Sequence, residues 1–467
     1  MIKRTVAEIA AMAGGTLAPG TDPLLRIEGV SKDTRTLPPG CLYIPLIGES
    51  FDGHQFVQDA LDKGAVASLW QKDHEQPPEG AALILVDDTL TALQALAKSY
   101  RHQLNVRVVG ITGSNGKTTT KDMTSAVLST TYKVHKTLGN YNNHFGLPLT
   151  LLQLEEDTEI AILEMGMSSR GEIRLLSELA EPEIVLITNI GESHLLQLGS
   201  RLEIARAKTE ILAGLQQDGT LVYNGDEPLI EQVLPELRET GAMKAARYHR
   251  VRFGAKPDND LYPVQQRMDA SGTHFEVQRF NGIDFYIPLL GSHNVINALA
   301  ALAVGVHFGI PAAVMAEGLK QLSMTSMRIE KIQAASGLTL LNDAYNASPT
   351  SMKAALKLLT ELQGYRSKIV VLGDMLELGE QEAEFHRQIG AMLKPDSIDR
   401  VYVFGTLAKH IAEAAAVNYP AGHVHVFDDK SRLAQAVAAY ASPDDVVLVK
   451  GSRGMKLEQV VSLLKQL

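Results

Sequence analysis

The stretch Val106 to Met123, VRVVGITGSNGKTTTKDM, constrains this chain more than any other. Val106, Val108, Val109 and Ile111 read as a buried strand, the glycines at 110, 113 and 116 as a loop, and Lys117-Thr118-Thr119 as the opening of a helix. Such a loop turns its backbone N–H groups inward, and the helix N-terminus adds partial positive charge, so Gly113, Ser114, Asn115, Gly116 and Thr119 line a phosphate cradle. Lys117 reaches for terminal phosphates and the Thr118 hydroxyl for a magnesium ion carried with them. The P-loop pattern is incomplete, because its first glycine falls on Ile111; what stands here is the shorter T-G-S-N-G-K-T-T. A glycine-rich turn with a chance lysine is the ordinary alternative. The strand before and the helix after favour a nucleoside triphosphate site.

A chain of 467 residues is too long for one hydrophobic core and suits two to four domains. Three segments separate by pattern. Residues 1–105 hold short elements with turn signals and close on a helical run from Leu90 to Tyr100. Residues 106–323 alternate strand and helix, with strands expected at Val106–Ile111, Ile160–Glu164, Ile184–Asn189 and Thr220–Asn224, which predicts a parallel sheet covered on both faces. Within them a hairpin is expected around Asn281-Gly282, followed by helices over Asn294–Phe308 and Ala312–Leu322. The polar SMTSMR marks a boundary, and residues 324–467 return to clean alternation, a doubly wound domain of its own.

Charge and composition exclude several classes. A formal net charge of −10 without a basic stripe argues against nucleic-acid binding. No apolar run reaches membrane-spanning length and MIKRTVAEIA lacks a signal-peptide core. The single cysteine, Cys41, sits among apolar neighbours and reads as an inert buried thiol in a reducing cytoplasm. Trp70 likewise reads as core. Nothing resembles a coiled coil, so a monomer is expected.

In open parallel sheets, ligands bind beyond the carboxyl ends of the strands. Polar residues recur there: Glu164 after AIL, then Asn189, Glu192 and His194 after VLIT, with Lys208 on the following helix. Carboxylate, imidazole and threonine hydroxyl around phosphates suit magnesium. Taken singly, His194 is more often a capping or surface histidine and Lys208 a solvated lysine, whereas an acid ending a central strand needs a partner. Asn140, Asn142 and Asn143 read as a turn or as amides facing a polar ligand. In the last segment Asp343 is placed to accept from ribose hydroxyls, Arg328 to approach the phosphates, and Lys450 with Arg453 to clamp a carboxylate or phosphate.

These motifs resemble the Mur ligases of bacterial cell-wall synthesis over nearly the whole chain. TGSNGKTTTK resembles the family's ATP loop; GNYNNHFGLP, EMGMSSRGEI and AKTEIL are similar to its central motifs, GSHNVINALAALAV to its adenine-side helix, and MRIE with NDAYNASPTSM to its C-terminal entry. SKDTRTLPPGCLYIPLIGESFDGH is similar to the segment holding the UDP end of the substrate. GDMLELGE, His386 and the ending VKGSRGMKLE are the wording of the branch that adds a dipeptide. The Asp-Asn-Pro-Arg motif of the branch that adds the third amino acid is absent.

The resemblance implies an α/β fold of three domains. Residues 1–105 would bind the UDP substrate, 106–323 form a central parallel-sheet ATP-binding domain, and 324–467 a Rossmann-like domain that closes on the ATP and takes the incoming dipeptide. It implies an ATP-dependent amide ligase adding D-alanyl-D-alanine to UDP-N-acetylmuramoyl-tripeptide through an acyl phosphate, in peptidoglycan precursor synthesis. By resemblance, Lys117 and the loop amides hold ATP phosphates, Thr118 one magnesium ion, and Glu164 with His194 a second. Lys208 matches a lysine that is often carbamylated and so sits near metal. Asn294 would contact adenine, Asp343 ribose and Arg328 the γ-phosphate. Thr34, Arg35, Gly48, Phe51, Asn142, Asn143, Ser168, Asn346, Lys450 and Arg453 would contact the substrates. Another amino-acid-adding ligase of the family remains open, and so does a non-catalytic nucleotide switch or scaffold.

Overall fold

The computed structural model describes residues 1–48, 51–241, 243–269, 271–324 and 330–466. Its centre is a six-stranded sheet, every neighbour parallel, in the order 249–253, 220–224, 184–187, 107–112, 160–164, 134–136. Strand IVLI is apolar throughout and IAILE is apolar up to its last residue, Glu164, and both are wholly buried, as a sheet with helices on both faces requires. The chain leaves strand Arg107–Thr112 to one side and later returns on the other. A crevice therefore opens at the carboxyl ends of this strand and its two neighbours, Ile160–Glu164 and Ile184–Ile187.

The last segment repeats the architecture in the order 330–333, 339–343, 446–450, 368–373, 400–404, 424–427, parallel except for the antiparallel edge strand Glu330–Gln333. The first segment is smaller. A five-stranded sheet ordered 16–17, 83–86, 67–71, 42–43, 30–31 packs beside a two-stranded pair, 3–5 with 26–28. Cys41 is fully buried and burial pushes its thiol up to about 11, so it stays protonated; Trp70 is buried as well.

Strands Ile160–Glu164 and Thr220–Asn224 occupy the expected positions, and Arg107–Thr112 is displaced by one residue from the expected span. The strand expected at Ile184–Asn189 stops at Ile187, because Thr188 and Asn189 turn to brace the phosphate loop. The hairpin forms with strands Thr273–Val277 and Asp284–Ile287 and Gly282 at φ +76°, but it pairs with Pro263–Met268 in a separate three-stranded sheet.

The first segment and one face of the central sheet share a single apolar core. Ile2, Ile9, Leu93 and Tyr100 belong to the same buried cluster as Leu147, Leu151, Leu163 and Ile187. Hydrogen bonds stitch across it: Ile2 N–H donates to the Leu152 carbonyl at 2.9 Å, and the Tyr100 side-chain hydroxyl donates to the Leu154 carbonyl at 2.9 Å. At roughly 1.5–3 kcal/mol per buried aliphatic side chain, these two segments are welded together. The last segment instead builds two clusters of its own on either side of its sheet.

Candidate active site

The phosphate loop follows from the strand before it. Thr112 ends the strand, Gly113 takes φ +148° and Gly116 φ +81°, and helix Lys117–Leu128 begins with no side chain capping its first turn. Those first N–H groups are left for a ligand. The loop is held by the neighbouring strand end. Thr188 Oγ1 donates to the Asn115 carbonyl at 2.6 Å, and the Asn189 carbonyl and side-chain oxygen accept from the Ser114 and Asn115 amides at 3.0 Å each. Ser114 Oγ and Asn115 Nδ2 are buried without a hydrogen-bond partner among the described residues, which fits an anion with many acceptor oxygens. Lys117 folds back and donates to the Gly113 carbonyl at 2.7 Å.

Glu164 ends its strand beside Ile111 and is 3% exposed. It accepts from Thr118 Oγ1 at 3.0 Å and from Asn142 Nδ2 at 2.9 Å. The partner that its burial demanded is thus the threonine of the loop and one amide of the Asn cluster. Asn143 behaves as a turn residue, its side-chain oxygen accepting from the Phe145 and Gly146 amides. Lys208 is buried, and loss of solvation together with the charge of Lys117 drives its ammonium far below the usual lysine range. It makes no hydrogen bond or ion pair among the described residues. Burial, then Lys208 and Lys117, also lower the pKa of His194, whose Nδ1 lies 3.0 Å from Glu377 of the last segment.

Across the crevice, Asp343 and Lys450 sit side by side on adjacent strands. Lys450 Nζ donates to Asp343 at 2.6 Å and to the Asn346 carbonyl at 2.9 Å. Lys450 was expected as a clamp for ligand; here its charge fixes the direction of Asp343 and of the loop after it. Helix Ser292–His307 opens on the same space. The Asn294 amide donates to the Leu290 carbonyl at 2.9 Å and its oxygen accepts from Asn297 at 3.2 Å, while burial holds His293 down to about 4.

One cavity of about 590 Å³ gathers these groups, within the range of small-molecule sites. Its walls include Ser114, Asn115, Gly116, Lys117, Thr119, Asn142, Asn143, Glu164, Ser168, His194, Lys208, Asn294, Asp343, Asn346 and Lys450. Thr118 reaches it through Glu164, and Gly113 lies beneath Lys117. Arg453 is not on its wall: the side chain is exposed, over the Tyr345 ring at 5.9 Å. Thr34, Arg35, Gly48 and Phe51 lie apart, on loops of the first segment. Arg35 is exposed and grips Asp33, whose carboxyl it holds down to about 2, and Phe51 is exposed against Gly48. Arg328 lies outside the described residues.

Several residues at or beside the cavity carry no signal in the motifs above. Asn297 Oδ1 accepts from Thr120 Oγ1 at 3.4 Å and leaves no room for a Cβ at Gly116, and its place three residues after Asn294 on one helix face was the available signal. Ser348 caps helix Pro349–Glu361 and donates to Asn115 Oδ1 at 3.3 Å, while Thr350 donates to Glu192 at 2.7 Å. Both contacts join segments distant in sequence, and no local pattern announces them.

The chain matches three family models: the Mur ligase family catalytic domain over residues 26–101, the Mur ligase middle domain over 111–305, and the Mur ligase glutamate ligase domain over 327–453. It is 52% identical to the UDP-N-acetylmuramoyl-tripeptide–D-alanyl-D-alanine ligase of Bacillus subtilis (strain 168), across 99% of this chain and 98% of that one. Identity to the Escherichia coli (strain K12) ligase of the same name is 36%, across 100% and 99%. Among solved structures, a crystal structure of MurF from Acinetobacter baumannii superposes with a TM-score of 0.87 at 28% identity, covering 100% and 99%. MurF ligase from Thermotoga maritima in complex with ADP gives 0.81 at 27%, covering 94% and 97%.

Proposed function

The chain belongs to the Mur ligase family, and from that premise we propose that it is the ATP-dependent ligase joining D-alanyl-D-alanine to UDP-N-acetylmuramoyl-tripeptide in peptidoglycan precursor synthesis. The observation that carries this reading is the meeting of phosphate loop, Glu164, His194 and buried Lys208 with Asp343 and Asn346 around one cavity, in a chain half identical end to end to a ligase of that name. A cytoplasmic monomer is part of the proposal, and no helix among the described residues is long and apolar enough to cross a membrane.

A carboxylate is a poor electrophile because its charge repels an attacking amine. Attack of its oxygen on the γ-phosphorus of ATP, with ADP leaving, gives an acyl phosphate with a good leaving group. The dipeptide amine then adds to the carbonyl carbon, phosphate departs, and the nitrogen loses a proton. In this chain the uncapped helix at Lys117 and the loop amides would hold the phosphates. Lys117 would leave the Gly113 carbonyl to meet them. The oxygen donors Thr118 and Glu164 suit magnesium, with His194 and a carbamate on Lys208 completing the set. Magnesium would neutralise charge developing on the transferring phosphoryl group. Asp343, steadied by Lys450, would take the ribose hydroxyls and Asn294 the adenine edge. Arg328 is proposed for the γ-phosphate and Asn346 for the dipeptide. Thr34, Arg35, Gly48 and Phe51 are proposed for the UDP end, with Asn142, Asn143 and Ser168 along the peptide stem. Contacts such as Ser348 to Asn115 and Thr350 to Glu192 keep water from the acyl phosphate by closing the last segment over the loop.

Phosphate release from ATP with purified UDP-tripeptide is expected to require D-alanyl-D-alanine. Turnover with a single amino acid in its place would overturn the assignment in favour of another branch of the family.

A further inference from the structure

Glu377 lies in the GDMLELGE motif of the last segment, a motif with no role yet assigned in the reaction. Its backbone is left-handed, at φ +64°. Glutamate pays for that conformation and glycine does not, so a glycine would stand here if only the turn mattered. The next turn residue with positive φ, Gly379 at +70°, is a glycine. Opposite, on the central segment, His194 is also left-handed, at φ +65°. Strained backbone of this kind persists only where the surroundings fix it.

Two contacts join the pair of turns. His194 Nδ1 lies 3.0 Å from Glu377 Oε2, oblique to a straight hydrogen bond. The Leu196 N–H donates to the Glu377 carbonyl at 3.0 Å. The second contact uses only the main chain and does not require a carboxylate. The first sets the carboxylate against one nitrogen of an imidazole on the wall of the cavity, which Lys117 and Lys208 also line. An imidazole has two nitrogens, and a carboxylate on one leaves the other for an ion and makes it a better donor.

We propose that Glu377 is a positioning residue for the metal site: delivered by closure of the last segment, its carboxylate holds Nδ1 of His194 so that Nε2 faces the ion. This rests on the reading of His194 as a metal ligand. Two sites on different segments then share one element, so metal binding and closure are coupled. Linkage makes the effect reciprocal: the ion favours the closed arrangement by the factor by which closure tightens the ion.

The test uses the full chain with a non-hydrolysable ATP analogue and Mn²⁺ as the probe, followed by electron paramagnetic resonance and calorimetry. Glu377→Gly keeps the left-handed turn and the Leu196 contact but removes the carboxylate; Glu377→Gln keeps the length and removes the charge. We expect Glu377→Gly to weaken the His194-dependent Mn²⁺ by about ten- to a hundredfold, with thermal stability unchanged or raised, and Glu377→Gln to fall between. Small-angle scattering should show the metal-driven compaction of the wild type reduced in Glu377→Gly. A Glu377→Gly protein that binds Mn²⁺ within twofold of wild type, when His194→Ala has lost that ion, overturns the role of Glu377 alone. If His194→Ala keeps both ions, the ligand reading of His194 falls and this inference with it.

Discussion

Gly113 offers the sharpest test of how the phosphate loop is held. A Cβ added there would stand 1.8 Å from Thr188 Oγ1, while contacts under 3.0 Å are essentially never seen. One of the two must therefore move by about 1.2 Å or more, in an interior that transmits displacement instead of absorbing it. The atom that must give is the one holding the Asn115 carbonyl at 2.6 Å. Gly113→Ala is expected to cost about 1–3 kcal/mol for alanine at φ +148°, and about 1 kcal/mol for the broken hydrogen bond. With two N–H groups of the uncapped helix start turned from the phosphates, each charge-assisted bond worth about 1.5–3 kcal/mol, affinity for an ATP analogue should fall at least about a hundredfold. Thr188→Ala removes the clashing oxygen and leaves contacts of 3.0 Å to its Cβ and 3.1 Å to its backbone nitrogen. The double variant should then be less damaged than the sum of the singles, by roughly 1–2 kcal/mol. Calorimetric titration of the four proteins closes the cycle. Analogue binding by Gly113→Ala within threefold of wild type, or strict additivity, would refute the argument.

Two further outcomes follow from buried titratable groups. Lys208→Ala should lower kcat by about a hundredfold or more, with partial recovery on adding a short-chain carboxylate, and wild-type protein in ¹³C-bicarbonate should show a carbamate carbon by NMR; an unmodified amine in a protein of full activity would exclude that modification. Stability should decline on acidification in two steps. Unfolded His293 takes up a proton near its ordinary 6.5 but the folded residue only at about 4, so the unfolded chain binds more protons between these values and stability falls across that window. Glu183, held to about 2 by Arg107 and then His307, adds stability above its ordinary 4.5 that is lost as pH falls from there towards 2. Urea titrations at pH 7, 5 and 3.5 check both, and His293→Gln should flatten the first step.

What the sequence disclosed is what local pattern encodes. Apolar runs such as IAILE and VVLVK announce buried parallel strands, and Glu164 at the end of one announces a partner, because a lone buried carboxylate is costly. Short or charged edge strands escaped: VHK at 134–136, HRVRF at 249–253 and EKIQ at 330–333 borrow their extended form from the sheet they join, not from their own residues. Contacts across segments were equally silent. Nothing within NASPTSM foretells that Ser348 meets Asn115, 233 positions earlier, or that Lys450 spends its charge on Asp343. Arg453 and Lys450 look alike in VKGSRGM, but Lys450 ends a strand flanked on both sides within the sheet and is buried, while the loop after it exposes Arg453.

The shared core of the first and central segments has a consequence for how the molecule comes into being. Side chains from residue 2 to residue 245 belong to one cluster, and the only interior private to the first hundred residues is the small group around Cys41, Tyr43, Val57 and Trp70, so among the described residues they gain most of their cooperativity from a sheet synthesised after them. During translation the earliest segment must wait for strands such as Ile160–Glu164 and Ile184–Ile187, whereas the last, with two apolar clusters of its own, can condense independently once released. Heating should expose the same division as two calorimetric units in place of three. A mutation at Leu147 or Leu163 would then be felt first in the segment proposed to grip UDP, far from the sheet that carries it.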